Sequence, residues 1–320
     1  MHSLQSFWNA TSAFADRLSA VGLEALMIAL ALHLTNLLLR ATAWRNILAA
    51  ANPQHRMRCR TVTGAYLSGV GLNNLVPARG GDVMKVFLVH RTVPETPYTT
   101  ITASLLTETL FDAVVGTILL VWAFSSGVIP GVPDLTGRIA AFEWSFFAGH
   151  TRTFAVVLAL LLIGLAIAFS WIERRANRFW DGVKDGLAIL RTPGRYLRQV
   201  VLLQGLGWIC RALAMYEFLD AFGIPANLSD ATLALSAGSI ATLLPLTPGG
   251  IGPQQALLVF MFGGVAARSA VLSFSVGMQF AITVTNALIG GTCLTLMLRR
   301  LPWKRAARQD AHASSSGHAR

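Results

Sequence analysis

Apolar runs of two different lengths alternate along this chain, and the difference between them predicts its architecture. The first long run, VGLEALMIALALHLTNLLLR from Val21 to Arg40, holds twenty residues with Glu24 near one end and His33 inside. At about 1.5 Å per residue, such a helix matches a hydrocarbon core of about 30 Å. Ile101–Phe124, Phe154–Trp171, Val200–Leu219 and Val271–Leu298 are of the same kind. The last is long enough to tilt or to extend past a bilayer.

Two regions break this pattern. Val62–Val76 has 15 residues and leads through NNLVPARGGDVMK into Val83–His90. Ala231–Leu244 has 14 residues and leads through PLTPGGIGP into Gln254–Gly263. Neither arm of either pair supplies a full crossing. Each pair predicts a re-entrant hairpin or a broken helix, which survives at membrane depth only where protein or a water-lined cavity satisfies the backbone. The expected fold is an all-α polytopic membrane protein with five long spans and two such hairpins.

Composition agrees. Of the 320 residues, 54% are hydrophobic and 13% charged, about half the charged share of a soluble domain. The net charge of +11 comes from 26 basic and 15 acidic residues. Because the basic residues sit in short segments beside apolar spans, they suit membrane topology and anionic headgroups rather than nucleic acid. Arg40–Arg60 holds five arginines and no acid, and Glu173–Arg198 seven basic residues against three acids. The tail beyond Leu298 is also basic. These three segments are expected in the cytoplasm; the balanced Ser125–Thr153 and the acidic Asp220–Asp230 are expected outside.

That orientation yields two units of span, hairpin and span, at residues 21–125 and 200–298, with opposite orientations. This is the logic of an inverted-repeat transporter. Residues 1–20 read as a lead-in without signal-peptide features, residues 21–298 as the membrane domain, and residues 299–320 as a basic, disordered cytoplasmic tail. The expected location is the bacterial cytoplasmic membrane, multi-pass, and a homo-oligomer is compatible with this organisation. Cys59, Cys210 and Cys293 are widely spaced, no CxxC occurs, and the histidines form no zinc-ligand pattern. The sequence therefore implies no metal and no cofactor.

Three polar clusters carry the candidate chemistry. In NNLVPARGGDVMK, Asn73 and Asn74 can cap or cross-bond broken backbone, Pro77 interrupts helix, and Gly80 and Gly81 allow tight geometry. Asp82 can cap the following helix, Arg79 can fork onto phosphate oxygens, and Lys85 adds a point charge. An ordinary capped cytoplasmic loop accounts for the same residues. In TETLFDAVVG, Glu108 and Asp112 share a helix face. Two acids in an apolar span need partners, protonation or water; Arg79, Lys85 and Arg91 are candidate partners. Their role is either structural or part of a substrate or proton path. In LTPGGIGPQQALL, Pro248, Gly249, Gly250 and Gly252 break helix, and Gln255 can bind a polar headgroup. A rigid exterior turn is the plainer account. Arg211 faces either a cavity or a counter-ion, and His33, Gln279 and Asn286 suit helix contacts.

Together these stretches resemble the lysylphosphatidylglycerol synthase transmembrane-region family, also described as flippase-like membrane proteins, over approximately residues 21–298. The resemblance implies a polytopic domain that flips or carries polar lipids. It places Asn74, Pro77, Arg79, Gly81, Asp82 and Lys85 on the first family motif, Glu108 and Asp112 on the second, and Pro248, Gly249, Gly250 and Gly252 on the third. Asp82 and Lys85 stand where glutamate and arginine are usual, Thr109 where an arginine is usual, and Gln255 where a glutamate is usual. Two-domain relatives add a soluble aminoacyltransferase region; these 320 residues are not expected to hold one or to aminoacylate phosphatidylglycerol.

The leading expectation is a lipid flippase or transporter that moves an anionic or lipid-linked headgroup between leaflets, and not an enzyme. A membrane enzyme acting on a lipid phosphate, and a non-transporting scaffold or regulator, are the alternatives.

Overall fold

The computed structural model describes residues 21–76, 80–125, 183–225, 227–243, 253–262 and 266–300. Among these residues the regular structure is helical throughout. In chain order the helices are α1 (Leu23–Ala51), α2 (Cys59–Leu75), α3 (Gly80–Thr92), α4 (Tyr98–Ser125), α5 (Leu202–Ala221), α6 (Leu228–Leu243), α7 (Pro253–Met261) and α8 (Arg268–Arg300). A short turn at Pro193–Tyr196 and a π-turn at Leu197–Val201 run into α5, so its helical path begins at Pro193.

Four of these helices are long and apolar enough to cross a membrane: Leu23–Ala51, Tyr98–Leu119, Pro193–Ala221 and Ser269–Arg299. The chain is an all-α, multi-spanning membrane protein. The expected span at Phe154–Trp171 lies outside the described residues, as do the lead-in at 1–20 and the tail beyond residue 300. Four short helices, α2, α3, α6 and α7, occupy the two regions whose apolar arms were too short to cross.

The exposed faces read as lipid-facing. Leu106, Leu110, Val114 and Ile118 are all exposed on α4 and recur every four residues, one stripe down a helix. Leu272, Val276, Phe280, Val284 and Leu288 repeat the device on α8. Apolar stripes face outward, while the acids of α4 turn toward neighbouring helices. This is the arrangement expected where lipid replaces water.

The centre of the molecule is the antiparallel pair α1 and α5. At one end Gly22 N donates to Ala221 O at 2.8 Å. At the other, the Asn46 amide donates to Gln199 O at 3.0 Å. Between them a Cβ added at Gly207 stands 2.9 Å from Asn36 Oδ1, so the helices touch along their length. On one side of this pair, Trp44, Leu48, Met57, Tyr66, Leu88 and Ile101 pack from α1 to α4. On the other, Phe218, Leu235, Leu258, Phe274 and Met278 pack from α5 to α8. The two sides are tied by α2 against α8. There a Cβ on Gly71 falls 2.6 Å from Asn286 O, and one on Gly290 falls 2.7 Å from Leu67 O. Any larger residue holds these backbones apart.

The first span extends eleven residues past its expected end at Arg40. Ala41, Ala43, Trp44, Ile47 and Leu48 are all buried beyond that arginine, so the apolar face continues. Arg40 is thus an interior residue of α1 and not the start of a cytoplasmic loop. The helix closes where Asn52 N–H bonds Leu48 O.

Candidate functional site

Arg40 gathers both acids of TETLFDAVVG. Its Nη2 donates to Glu108 Oε1 at 2.8 Å and also to Asp112 Oδ2, while Nε donates to Tyr66 Oη at 2.8 Å. Tyr66 Oη in turn donates to Glu108 Oε1 at 2.8 Å. The second oxygen of Asp112 accepts from Trp208 Nε1 at 3.1 Å. Gln204 reaches the Glu108 carbonyl from Nε2 at 3.4 Å, leaving its own buried Oε1 without a partner. Four helices, α1, α2, α4 and α5, therefore meet at one charged knot.

Helical spacing builds this knot. Glu108 and Asp112 stand one turn apart on α4, as do Gln204 and Trp208 on α5, so each pair points in one direction. A guanidinium offers several donors in one plane, which lets a single residue serve two carboxylates and a phenol at once. The carboxylates are thus paired inside the bundle, with side-chain exposures of 6% for Glu108 and 22% for Asp112.

The first hairpin joins the same knot through Tyr66. Lys85 Nζ stands 4.4 Å from the centroid of the Tyr66 ring and 2.9 Å from Asp82 Oδ1. Asn73 bonds both sides of the break: its amide donates to Asp82 Oδ1 at 3.0 Å, and its oxygen accepts from Gly81 N at 2.8 Å. Asp82, expected as the cap, sits inside the first turn of α3, and Asn73 supplies the oxygen to the free N–H. A Cβ on Gly69 overlaps Lys85 Cγ and lies 2.6 Å from Gly81 O. The bare backbone of α2 is what lets Lys85 lie across it.

Asn74 has its side-chain nitrogen buried without a hydrogen-bond partner. Gly80 and Gly81 open α3 as expected. Gln255 stands on α7, whose Leu258 and Met261 belong to the other core. Pro77, Arg79, Pro248, Gly249, Gly250 and Gly252 lie outside the described residues. Of the expected partners for the acids, Lys85 reaches them only through Tyr66. Arg40, Tyr66, Gln204 and Trp208 were missed. The signal for Arg40 was present: the apolar face of Leu37, Ala41, Trp44 and Leu48 runs through it. His33 bonds Asn286 Oδ1 at 3.0 Å, a contact between α1 and α8. Among the described residues no cluster of three or more His, Cys, Asp or Glu is placed to hold a metal ion.

Residues 5–290 match the model of the lysylphosphatidylglycerol synthase TM region. The chain belongs to that family. It is 26% identical over 295 residues to a protein of Haloferax volcanii named glycosyltransferase AglD, covering 81% of this chain and 46% of that one. It thus spans about half the length of that relative. A UPF0104 membrane protein of Methanothermobacter thermautotrophicus is 24% identical over 243 residues, 68% of each chain. The UPF0104 membrane protein MJ1078 of Methanocaldococcus jannaschii is 23% identical over 197 residues, 59% of this chain and 78% of that one. No solved structure matches significantly.

Proposed function

We propose that this chain moves a polar lipid headgroup, anionic or lipid-linked, between the leaflets of the cytoplasmic membrane. The observation that carries this reading is the Arg40–Glu108–Asp112 knot, one guanidinium bridging two carboxylates within helices whose outer faces are apolar. Ionisable groups at such a position mark substrate or ion routes in membrane proteins. Membership of the lysylphosphatidylglycerol synthase TM region family supports a lipid as the cargo, and the name of the AglD relative makes lipid-linked sugars a class to test.

Helix order supports an inverted repeat as the scaffold. The order α1 to α4 is long, short, short, long, and α5 to α8 repeats it, with α1 and α5 antiparallel. In this reading α2–α3 and α6–α7 are opposed hairpins that enter from the cytoplasm and from outside. The C-terminus lies in the cytoplasm. Arg79 and Lys85, with the first turn of α3, hold the phosphate as it enters. Asn74 and Gln255 bond polar headgroup atoms, and the breaks at Pro77 and at Pro248–Gly252 shape the two ends of the path.

The test is leaflet movement in proteoliposomes, measured for phosphatidylglycerol, phosphatidylethanolamine and a polyprenyl-phosphate sugar, with chemical turnover followed in parallel. Wild-type protein is expected to speed movement of at least one phosphate-bearing lipid, and Arg79→Ala to abolish it. No movement of any of these lipids overturns the reading, and a chemically altered lipid favours the enzyme alternative.

A further inference from the structure

Arg211 is the second arginine beside the charged knot, and no carboxylate lies within 4 Å of it among the described residues. Both acids nearby make their direct contacts elsewhere, although their two charges share one guanidinium and Asp112 still attracts Arg211 at longer range. Asp112 accepts from Trp208 at Oδ1 and from Arg40 at Oδ2, and Glu108 Oε1 accepts from Arg40 and Tyr66. What Arg211 touches is an aromatic face: its Cζ stands 4.8 Å from the Trp208 ring. A guanidinium on a π-face keeps its N–H donors in its own plane, pointing away from the ring normal. Those donors remain available for a planar, two-pronged contact, the geometry that suits phosphate oxygens.

The position is built. Gln204, Trp208 and Arg211 recur at four and three residues along α5, so they share the face turned to α1 and α4. Trp208 is fixed from its edge by Asp112, and that bond sets the ring on which Arg211 lies. Gln204 Oε1, buried and without a partner on the same face, is an acceptor for a hydroxyl or ammonium group. The face thus offers a cation without a direct ion pair among the described residues and an acceptor without a partner, about two turns apart.

We infer that Arg211, seated on Trp208, is the phosphate-binding residue midway along the headgroup route. This rests on the transport reading for its place in a route, and on the ring contact and the lack of a direct ion pair among the described residues for its chemistry. A phosphate on a lipid and free inorganic phosphate carry the same recognition, so both are probed.

The test is calorimetric titration of the purified full chain in detergent with dioctanoyl phosphatidic acid, inorganic phosphate and dioctanoylglycerol. Wild type is expected to bind the phosphatidic acid and not dioctanoylglycerol. Binding of inorganic phosphate with comparable affinity assigns the site to phosphate as such and overturns a lipid-selective role. Arg211→Gln is expected to weaken phosphatidic acid binding by about tenfold or more, the loss of one charged hydrogen-bond partner. Arg211→Lys is expected to weaken it less. Arg58→Gln, which removes an exposed charge outside the site, is expected to leave it unchanged. If Arg211→Gln melts like wild type and binds as tightly, the inference is overturned. If it melts lower and still binds as tightly, Arg211 is a structural counter-ion and the inference is again overturned. Arg211-dependent binding in a chain that moves no lipid keeps the site and overturns the transport reading alone.

Discussion

Lys85 and Tyr66 meet as cation and ring, with Nζ 4.4 Å from the ring centroid. That contact couples the arm α3 to the carboxylates of α4, because the phenol edge of Tyr66 is bonded to Glu108 and Arg40. One residue therefore offers its face to the hairpin and its hydroxyl to the knot.

The two roles separate by substitution. Tyr66→Phe keeps the face and removes the hydroxyl, which both donates to Glu108 and accepts from Arg40. A cost of about 1–3 kcal/mol is expected, read as a lowered melting temperature in detergent. Tyr66→Leu also removes the face. A double-mutant cycle with Lys85→Met is expected to show coupling of about 0.5–2 kcal/mol for Tyr66→Leu. The cycle with Tyr66→Phe, which leaves the ring under Lys85, is expected to show coupling near zero. A coupling energy of zero for Tyr66→Leu as well means the ring contact contributes nothing.

Arg40 has the larger effect. Arg40→Gln leaves Glu108 and Asp112 as neighbouring acids without their cation. A loss of about 3–5 kcal/mol is expected, as for one partner removed from a buried pair. The triple change Arg40→Gln, Glu108→Gln, Asp112→Asn removes the uncompensated charge and is expected to recover part of the melting temperature without recovering lipid movement. A triple variant no more stable than Arg40→Gln contradicts the electrostatic account.

Much of the fold was legible because apolar length is a direct physical signal. Four of the five long runs became long helices, the fifth lying outside the described residues, and the two runs near fifteen became short ones. The pairing of Glu108 with Asp112 was legible from spacing alone. Their partner was not. Arg40 stands next to four more arginines in sequence, and positive charge beside a span reads as cytoplasmic loop. The apolar spacing of Leu37, Ala41, Trp44 and Leu48 carried the opposing signal, and their burial shows that the helix goes on. Tyr66 and Trp208 were silent for a different reason. Aromatic residues in membrane helices are common as packing or anchors, and nothing in one strand of text shows that two polar edges point at the same acids.

The orientation can be read with Cys59. It is exposed at the start of α2, beside Arg58 and Arg60, whereas Cys210 and Cys293 lie half-buried within α5 and α8. With Cys210→Ser and Cys293→Ser in place, Cys59 is expected to resist a membrane-impermeant maleimide in intact cells and to react once the membrane is opened. Labelling in intact cells reverses the proposed topology.

Glycine substitutions test whether close backbone contact holds the site together. Gly81 lies against α2, and an added Cβ there overlaps Gly69 O and stands 2.7 Å from Asn73 Oδ1. Neither α2 nor α3 can yield without moving Asn73, and with it Asp82 and Lys85. Gly81→Ala is therefore expected to cost about 1–3 kcal/mol, as overpacking does, and to weaken the Lys85–Tyr66 coupling measured by the same cycle. Gly205 on α5 is the contrast. Nothing stands within 4 Å of an added Cβ there, and alanine favours helix over glycine by about 0.5–1 kcal/mol. Gly205→Ala is thus expected to raise the melting temperature slightly. The two changes are chemically identical, so opposite signs isolate the close approach at Gly81 from helix propensity. A stabilising Gly81→Ala would mean that α2 and α3 stand further apart than their packing across Lys85 requires.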